Sequence, residues 1–588
     1  MNRVEQFGAL YEEWQRRGLP RRQFLRLVAV GTSAAALSGI LAACGGAAST
    51  ATSAPGAPTT AAGAPTKAAG APTKAAGSPT PIVQFIGSPA AKSLPMPTAA
   101  KFVDKAFLIA VNVEPDTLDV QDSTSNASLG TMKCIYEGLV SLDEKMRLVN
   151  LLAESWEPSA DAKEFTFKLK QGVKFHDDTP FNAAAVKAAF DRVLASDAKL
   201  KRHGYFNAVI DHVEAVDDGT VKLVAKEPFA AMVATIAHPA GGIPSPTAFQ
   251  KYGQDFGTHP VGTGPYKFVE WVRGDHIALE AVQGYWSKEI GPAVSKLTIK
   301  GIAEPSALAI AVQSGDAQFA GPLNAPQATQ LKNQPGVVVQ ENDSISVFWI
   351  TLNNSKKPFD DKRVRQALNY GVNKTDVLKA ADLGQGWIMD SPLAPGVWGY
   401  HSVKTYQYDP AKAKQLLADA GLASGFKSTL WTSAASKNRA VAVQGQLKQI
   451  GVEVDVVQME SAALTAETAK PVDQSQIQML VSNWSPSTGD ADWGIRPLYS
   501  KAQWPPAGST TSFYTNPQLE DYIEQGLQFT DDAKRKGAYA KAQELIMEEA
   551  PNIFLYAPTY FAANRDNAGG VTLQPDGIVY MRTAHFTK

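Results

Sequence analysis

The stretch Glu164-Phe-Thr-Phe-Lys-Leu-Lys-Gln-Gly-Val-Lys-Phe-His-Asp177, with the segment that follows it, decides the fold class. Apolar and polar residues alternate over 165–169, which predicts a half-buried strand, and Val173 and Phe175 predict a second strand after a turn at Gly172. Asn182 then stands where it can cap a helix, and apolar residues follow at helical spacing: Val186, Phe190 and Val193. Strand, turn, strand and helix in close succession predict a mixed α/β protein.

Three stretches further along the chain show the same mixture of patterns. Asp409-Pro410 opens a predicted helix that ends before Gly421. Leu447 and Ile450 close another helix before Gly451, and alternating valines predict a strand over 452–456. A long helix is predicted from about 532 to 549, where Pro551 stops it.

Length and composition limit the kinds of protein that this chain can be. Its 588 residues suggest two to four domains. The 56 basic residues nearly balance the 57 acidic ones, and 44% of residues are apolar, so a nucleic-acid binder with a basic surface is disfavoured. Two cysteines exclude a disulfide scaffold, a cysteine-rich zinc site and a four-cysteine iron–sulfur cluster.

Residues 1–43 have the layout of a signal peptide. Six arginines precede an uncharged stretch from Leu27 to Ala43, which is too short and too diluted by glycine and serine to be a spanning helix. Arg21-Arg22-Gln23-Phe24-Leu25 resembles the twin-arginine export signal, although Pro20 stands where Ser or Thr is usual, and general secretion stays open as the alternative route. Leu41-Ala42-Ala43-Cys44 resembles a bacterial lipobox, which predicts lipidation of Cys44.

Residues 44–100 are predicted to be a lipid-anchored, low-complexity linker. They contain no acidic residue and a single aromatic one, and the unit Gly-Ala-Pro-Thr-Lys-Ala-Ala recurs at Gly63 and Gly70. A proline in every copy excludes a coiled coil. The segment therefore predicts a flexible spacer between the membrane and a folded part that begins near Lys101.

No catalytic or cofactor-binding motif appears in the folded part. The eight histidines show no H-E-x-x-H pattern and no metal-ligand spacing. Gly262-Thr263-Gly264-Pro265 lacks the third glycine of a dinucleotide fingerprint and predicts a turn. Neither a phosphate loop nor a nucleophile elbow is present. We therefore expect a binding protein without cofactor, metal or catalytic residues.

Several blocks of the folded part resemble the family 5 solute-binding proteins, the peptide and nickel receptors of ATP-binding-cassette importers. These blocks stand in the family order: Leu152–Trp156, Phe165–Leu169, Gly172–Asp177, Pro260–Tyr266, Gly284–Trp286, Pro358–Asp360, Arg363–Leu368 and Tyr408–Leu417. The resemblance covers about 480 residues. It implies a two-lobed, periplasmic-binding-protein-like α/β fold of class II, in the enlarged peptide-receptor form, with a hinge and a ligand cleft between the lobes. Lobe one would comprise 101–298 together with 556–588, and lobe two would comprise 299–555.

Finer features are similar to the glutathione-binding branch of that family. They are Asn182–Ala188, Ala237–Ala240, Trp484–Trp493 and Trp504–Pro506. Dipeptide and oligopeptide receptors commonly place an aspartate three residues after the first of those tryptophans, where it pairs with the ligand's amino group, but this chain has Ser487 there. Asp490 or Asp492 would then supply the charge from a shifted position.

The resemblance implies roles for further residues. Trp484 would pack against the ligand backbone, with a core position as the alternative. Asp490 and Asp492 would pair with the ligand's amino group, with a turn or helix-cap role as the alternative. Arg496 would pair with a ligand carboxylate, or else form a surface ion pair, and Arg202 would meet a second carboxylate. Thr124, Ser125 and Asn126 stand where lobe one of the family approaches the ligand.

We therefore expect a lipid-anchored, monomeric, extracytoplasmic receptor on the outer face of the cell membrane or in the periplasm. It would capture glutathione or short peptides and deliver them to the permease of an importer, without contact to nucleic acid. Two alternatives stay open at this point: a nickel or metal-chelate receptor of the same family, and an extracytoplasmic hydrolase.

Overall fold

The computed structural model describes residues 100–403 and 406–588. The predicted signal peptide, Cys44 and all of the predicted linker except Ala100 lie outside the described residues. The signal peptide, the lipidation of Cys44 and the linker therefore stay predictions.

A twelve-stranded sheet runs through the described part of the chain. Its strands follow one another in the order β16-β15-β17-β13-β18-β11-β1-β10-β9-β8, and β12 and β14 also pair with β18. Their bounds are β1 Val103–Val111, β8 Tyr266–Val272, β9 His276–Ala281, β10 Val294–Gly301, β11 Phe319–Leu323, β12 Val337–Asp343, β13 Val347–Leu352, β14 Gly386–Ile388, β15 Phe426–Thr432, β16 Val452–Gln458, β17 Met479–Trp484 and β18 Asn552–Arg565.

Strand β18 joins the two halves of this sheet. Its first half pairs with β13 and β14, and its second half pairs with β11 and β12, in each case antiparallel. Most of its side chains are buried from end to end. A strand of this length can cross between two lobes while it keeps its ladder hydrogen bonds on both sides, which is the connection that a two-lobed fold requires.

A second, four-stranded antiparallel sheet contains the predicted strand at 165–169. Its order is β4-β5-β7-β6, with β4 Ala153–Pro158, β5 Glu164–Leu169, β6 Ile210–Asp217 and β7 Thr220–Ala225. Three two-stranded sheets complete the strands of the described residues. Two are hairpins, β2 Val140–Leu142 with β3 Leu148–Asn150 and β20 Thr572–Leu573 with β21 Val579–Tyr580, and the third pairs β19 Ala568–Gly569 with β22 His585–Phe586, on either side of the second hairpin in the chain.

The predicted second strand at 173–175 is wrong. Val173 and Phe175 are buried as expected, but the only pairing there is an isolated bridge between Lys174 and Pro180. A tight turn follows at once, in which Asp178 adopts a φ of 64° and its amide donates to the carbonyl of Phe175. Both ladder bonds of this bridge are made, from the amide of Phe175 to the carbonyl of Thr179 at 2.9 Å and from the amide of Phe181 to the carbonyl of Val173 at 3.0 Å. The pairing does not extend further because the tight turn lies on one side and Asn182, the N-cap of the helix 183–194, lies on the other.

The helices confirm the predictions from capping signals. Asn182 caps α2 by accepting a hydrogen bond from the amide of Ala185 at 3.1 Å, and α15 covers the predicted 532–549. The helix bounds are α1 Asn126–Ile135, α2 Ala183–Leu194, α3 His203–Asn207, α4 Met232–Ala237, α5 Pro246–Tyr252, α6 Pro305–Ser314, α7 Ala325–Leu331, α8 Lys362–Gly371, α9 Lys374–Asp382, α10 Pro410–Asp419, α11 Lys437–Leu447, α12 Ser461–Thr468, α13 Ala491–Tyr499, α14 Pro517–Gln528 and α15 Asp532–Glu549.

A buried carboxylate explains two of the sequence blocks. The side chain of Glu137 accepts hydrogen bonds from Trp286 (2.8 Å), Thr263 (3.0 Å), Arg582 (2.7 Å) and the hydroxyl of Tyr285. The Gly262–Pro265 turn lies against the end of α1, where a Cβ on either glycine would fall within 2.3 Å of a helix carbonyl oxygen. These blocks therefore stabilise the fold around α1.

Candidate functional site

Parallel strands from both halves of the large sheet end near the middle of β18. Strand β11 ends at Leu323, which pairs with Phe561, and β17 ends at Trp484, whose partner Val347 lies at the start of β13. The neighbouring pair of β13 is Phe348 with Tyr556. In open α/β sheets, ligands bind beyond the carboxyl ends of parallel strands, so the region around 556–561 is the candidate site.

A cavity of about 270 Å³ opens at this position. Its walls come from the end of β1, the start of α1, β18 and the β20–β21 hairpin, and its lining residues are Val111, Asn112, Val113, Asn126, Ala127, Pro322, Tyr560, Leu573, Gly577 and Val579. Most of this lining is apolar, and the amides of Asn112 and Asn126 supply polar groups. Apolar walls with a few polar groups are typical of a small-molecule site.

The turn at Asp576 connects two of the predicted ligand-facing segments. Its carbonyl oxygen accepts hydrogen bonds from Asn126 Nδ2 and from Ser485 Oγ, both at 3.4 Å. Thr124 and Asn126 are exposed, and Ser125 is the half-buried N-cap residue of α1. The loop 124–126 and the loop after β17 therefore lie at the same edge of the cavity.

Three aromatic rings form what we call the aromatic wall: Tyr205, Trp493 and Trp484. The rings of Tyr205 and Trp493 meet edge to face with centroids 4.9 Å apart, and those of Trp493 and Trp484 lie 5.7 Å apart. Trp484 Nε1 also donates to the carbonyl oxygen of Trp493 at 2.6 Å. All three residues are half-buried, as expected for rings at the border of a cleft.

The two predicted aspartates at the site are already paired with arginines. Arg535 binds Asp490 through both terminal nitrogens at 3.0 Å, and Asp490 also caps α13 by accepting the amide of Asp492 at 2.9 Å. Asp492 in turn binds Arg496 at 2.7 and 2.8 Å. Burial alone would lower the pKa of Arg535, but the Asp490 carboxylate raises it above its ordinary value.

This network gives Asp490, Asp492 and Arg496 a role behind the aromatic wall. Both carboxylates are buried, and the guanidinium of Arg496 lies over the ring of Phe229 at 5.5 Å. Ser487 is half-buried in the turn between β17 and α13, where its amide donates to the carbonyl of Ser485 at 2.8 Å. The geometry favours the cap and ion-pair alternatives for the three charged residues, which hold α13 and its Trp493 in place.

Arg202 differs from these three charged residues, because no carboxylate in the described part of the chain pairs with it. Its Nε donates to the carbonyl oxygen of Ser123 at 2.7 Å, and its guanidinium lies 5.7 Å from the ring centre of Tyr205. Asp116, whose charge acts on Arg202, is taken by Lys201 at 2.9 Å. Within the described part of the chain Arg202 forms no ion pair, and burial lowers the pKa of its guanidinium. A half-buried cation without a carboxylate partner thus lies between the loop 124–126 and the aromatic wall.

A second charged group near the candidate site had no signal in the sequence. Arg439 stacks on the ring of Phe348 at 3.8 Å and donates to Asp382 at 2.7 Å and to the hydroxyl of Tyr556 at 2.5 Å. The four residues come from α11, β13, α9 and β18. Because they belong to separate elements, no motif spacing brings them together.

Two further features of the described residues bear on function. No group of three or more His, Cys, Asp or Glu side chains that could hold a metal ion occurs among residues 100–403 and 406–588. Within the same ranges, no helix has the length and apolar character needed to cross a membrane.

Residues 147–506 match the family described as bacterial extracellular solute-binding proteins, family 5 Middle. The chain is 40% identical over 493 residues to the glutathione-binding protein GsiB of Pectobacterium atrosepticum, which covers 82% of this chain and 95% of that protein. It is 37% identical over 482 residues to the GsiB of Escherichia coli, with 81% and 93% covered.

Solved structures of similar fold agree with this result. The ABC transporter-associated periplasmic binding protein DppA of Helicobacter pylori, in complex with the peptide STSA, superposes with a TM-score of 0.71 at 27% identity and covers 83% of this chain and 99% of that chain. HbpA2 of Haemophilus parasuis gives a TM-score of 0.74 at 24% identity, with 82% and 100% covered, and supports the fold alone.

Proposed function

The chain belongs to family 5 of the bacterial extracellular solute-binding proteins, the substrate receptors of ATP-binding-cassette importers, and we propose that its ligand is glutathione or a short peptide. Membership confirms the predicted two-lobed fold, the resemblance to the glutathione branch and the expectation of a receptor rather than an enzyme. It also makes the protein extracytoplasmic.

Arg202 is the observation that carries the proposed ligand class. A guanidinium that has lost part of its hydration and has no carboxylate partner in the described protein favours a ligand that brings one. Glutathione and every unmodified peptide carry at least one carboxylate, and glutathione carries two. The relatives named as glutathione-binding support the same class of ligand.

Other residues predicted from the family resemblance would contact the same ligand. We propose that Trp484 packs against the ligand backbone, that Thr124, Ser125 and Asn126 donate polar contacts from the opposite side, and that Ser487 lies at the rim of the site. Asp490, Asp492 and Arg496 would act through the position of α13 rather than by contact. The ligand would become buried when the lobes close, and exclusion of water would strengthen each of these polar contacts.

Calorimetric titration tests the proposal directly. Glutathione, dialanine, trialanine and pentaalanine are titrated into the full chain, and thermal unfolding is recorded with each compound. We expect saturable heat and a raised melting temperature with at least one of the first three. No heat and no thermal shift with any of the four would refute the proposed ligand class.

We also propose that Cys44 carries the lipid anchor and that the mature protein is a monomer that delivers its ligand to a permease. Two or three acyl chains, at about 0.8 kcal/mol per buried methylene, would hold the protein firmly at the membrane. The Cys44→Ser protein should leave the detergent phase in a phase-partition experiment. A variant that partitions like the wild type would contradict the anchor.

The lobe boundaries stay a proposal, which strand pairing helps to refine. Strand β11, at 319–323, pairs with β1 in parallel, and β1 belongs to the proposed lobe one. This pairing supports a first crossing after about residue 343 in place of 299. The return crossing would remain near residue 556, inside β18.

A further inference from the structure

A second, smaller cavity lies within the proposed lobe one. Its walls come from the end of α1, the turn before β2, the end of α4 and the segment after β21, and it shares no lining residue with the cavity of the candidate site. Lys133, Glu137, His238 and Arg582 all line it, and none of them is more than 7% exposed. So many buried polar side chains around one space indicate a site built for a polar or charged particle.

Lys133 brings a positive charge to this cavity without a carboxylate partner. Its Nζ donates to the carbonyl oxygen of Leu142 at 3.1 Å and to Gln574 Oε1 at 3.0 Å, both of which are uncharged, and it forms no ion pair among the described residues. Burial lowers the pKa of Lys133 to about 8, although the carboxylates of Asp576 and Asp143 act in the opposite direction. Lys133 is therefore charged at pH 7, and the third N–H of its ammonium group is left for a further acceptor.

Arg582 adds a second cation with an unused donor. Its Nη2 donates to Glu137 at 2.7 Å and to the hydroxyl of Tyr285 at 3.0 Å. Its Nε is buried and has no hydrogen-bond partner in the part of the chain that the structure describes. The charge of Arg582 also lowers the pKa of Lys133, so the two cations lie near each other. A buried guanidinium N–H that lacks an acceptor destabilises the fold unless another group supplies one.

A single carboxylate lines the cavity beside these two cations. The oxygens of Glu137 accept four hydrogen bonds, which is about the number that a carboxylate can accept. His238 adds no charge, because its Nδ1 accepts the amide of Ala240 at 3.1 Å and burial lowers the pKa of its ring well below the ordinary value. The lining of the cavity therefore carries an excess of positive charge at pH 7.

The size of the cavity limits what can bind there. Its volume is about 20 Å³, and about 10–15 Å³ is enough for one water-sized particle, so a monatomic ion fits but a sulfate or phosphate does not. We propose that this cavity binds one chloride ion, which accepts hydrogen bonds from Lys133 Nζ and Arg582 Nε. A water molecule would accept the same bonds but would leave the positive charge uncompensated. The ion would connect α1 to the segment after β21, whichever ligand the receptor carries.

Thermal unfolding of the full chain at pH 7 tests this proposal. The protein is unfolded in sodium chloride and in sodium gluconate of equal ionic strength, because gluconate is too large for the cavity. We expect chloride to raise the melting temperature by about 1–2 °C relative to gluconate, with saturation as its concentration rises. Equal melting temperatures in the two salts would overturn the proposal.

Two lysine variants show whether the effect of chloride comes from this cavity. Lys133→Met removes the cation, so the difference between the two salts should disappear. Lys374→Met is the matched control, because Lys374 is also buried, has its pKa lowered to about 8 by burial, and donates to the carbonyl oxygen of Tyr406 at 3.0 Å. This control should keep the difference. A folded Lys133→Met protein with the wild-type response to chloride would overturn the proposal.

Crystals of the full chain grown in sodium bromide locate the ion directly and decide the matter if Lys133→Met does not fold. We expect an anomalous peak at hydrogen-bond distance from both Lys133 Nζ and Arg582 Nε. A water molecule at this position, or bromide peaks only elsewhere, Arg202 included, would overturn the proposal.

Discussion

Replacement of Arg202 by glutamine should weaken glutathione binding while leaving the fold intact. Arg202 is half-buried, donates one hydrogen bond to the carbonyl of Ser123, and forms no ion pair in the described protein. A hydrogen bond between charged partners contributes about 1.5–3 kcal/mol. Its loss corresponds to about a 10- to 150-fold increase in the dissociation constant.

The stability of the same variant should change little. Glutamine relieves the cost of burying a cation without a carboxylate partner, and this gain offsets the lost bond to Ser123. We therefore expect the melting temperature without ligand to stay within about 3 °C of the wild-type value, which corresponds to about 1 kcal/mol. Arg202→Lys keeps the charge but loses the planar fork, so its affinity should lie between those of the wild type and Arg202→Gln.

Calorimetry at pH 7 provides the measurement, and Arg273→Gln provides the control. Arg273 is an exposed arginine directly after the edge strand β8. It stacks on Trp271 at 3.3 Å and, among the described residues, donates only to the backbone carbonyl of Asp116, at 3.3 Å. The control should bind glutathione as the wild type does. An unchanged dissociation constant in Arg202→Gln, or an equal loss in Arg273→Gln, would refute the role of Arg202 as the carboxylate receptor.

Three further predictions concern buried groups. Asp490→Asn breaks a buried pair with Arg535 and should lower the free energy of unfolding by about 3–5 kcal/mol in urea titrations, whereas an unchanged midpoint would contradict a supporting role. Burial raises the pKa of Asp576 to about 6, so the native state favours the protonated carboxyl. The stability that the protonated form contributes is complete below about pH 4 and is lost as the pH rises through about 6. Asp576→Asn should therefore be about 3 kcal/mol more stable than the wild type at pH 7, and a difference that does not close near pH 4 would refute this reasoning. Burial raises the pKa of Cys134 to about 12, so this free thiol should stay unreactive toward a thiol reagent at pH 8 until urea unfolds the protein, and fast labelling of the native protein would contradict its burial.

Local patterns predicted those elements whose cause is local. The Asn182 cap and the long helix 532–549 follow from side chains within a few residues of each helix end, and the structure has both as predicted. The strand predicted at 173–175 is wrong because the tight turn at Asp178 and the helix cap at Asn182 leave its partner segment too short for more than one bridge. A single sequence window showed the alternation but did not reveal the partner.

The ion pairs of the site also show that local patterns reveal only partners that are close in sequence. Asp492 and Arg496 lie four residues apart, and this spacing on a predicted helix is the signal that would have indicated their ion pair. Asp490 and Arg535 are separated by 45 positions, and Glu137 and Arg582 by 445. No sequence window contains such pairs. Only the fold shows which carboxylates are paired with an arginine.

These buried ion pairs affect the charge that a ligand meets. Residues 101–588 contain more Asp and Glu than Lys and Arg. Three buried carboxylates, Asp490, Asp492 and Glu137, are nevertheless each paired with an arginine. Paired charges contribute little field beyond their immediate surroundings, whereas an unpaired cation at a cleft with low-dielectric walls attracts anions over a longer distance. Arg202 is such a cation in the described protein, so we expect it to attract the carboxylates of the proposed ligand even though the folded part is acidic as a whole.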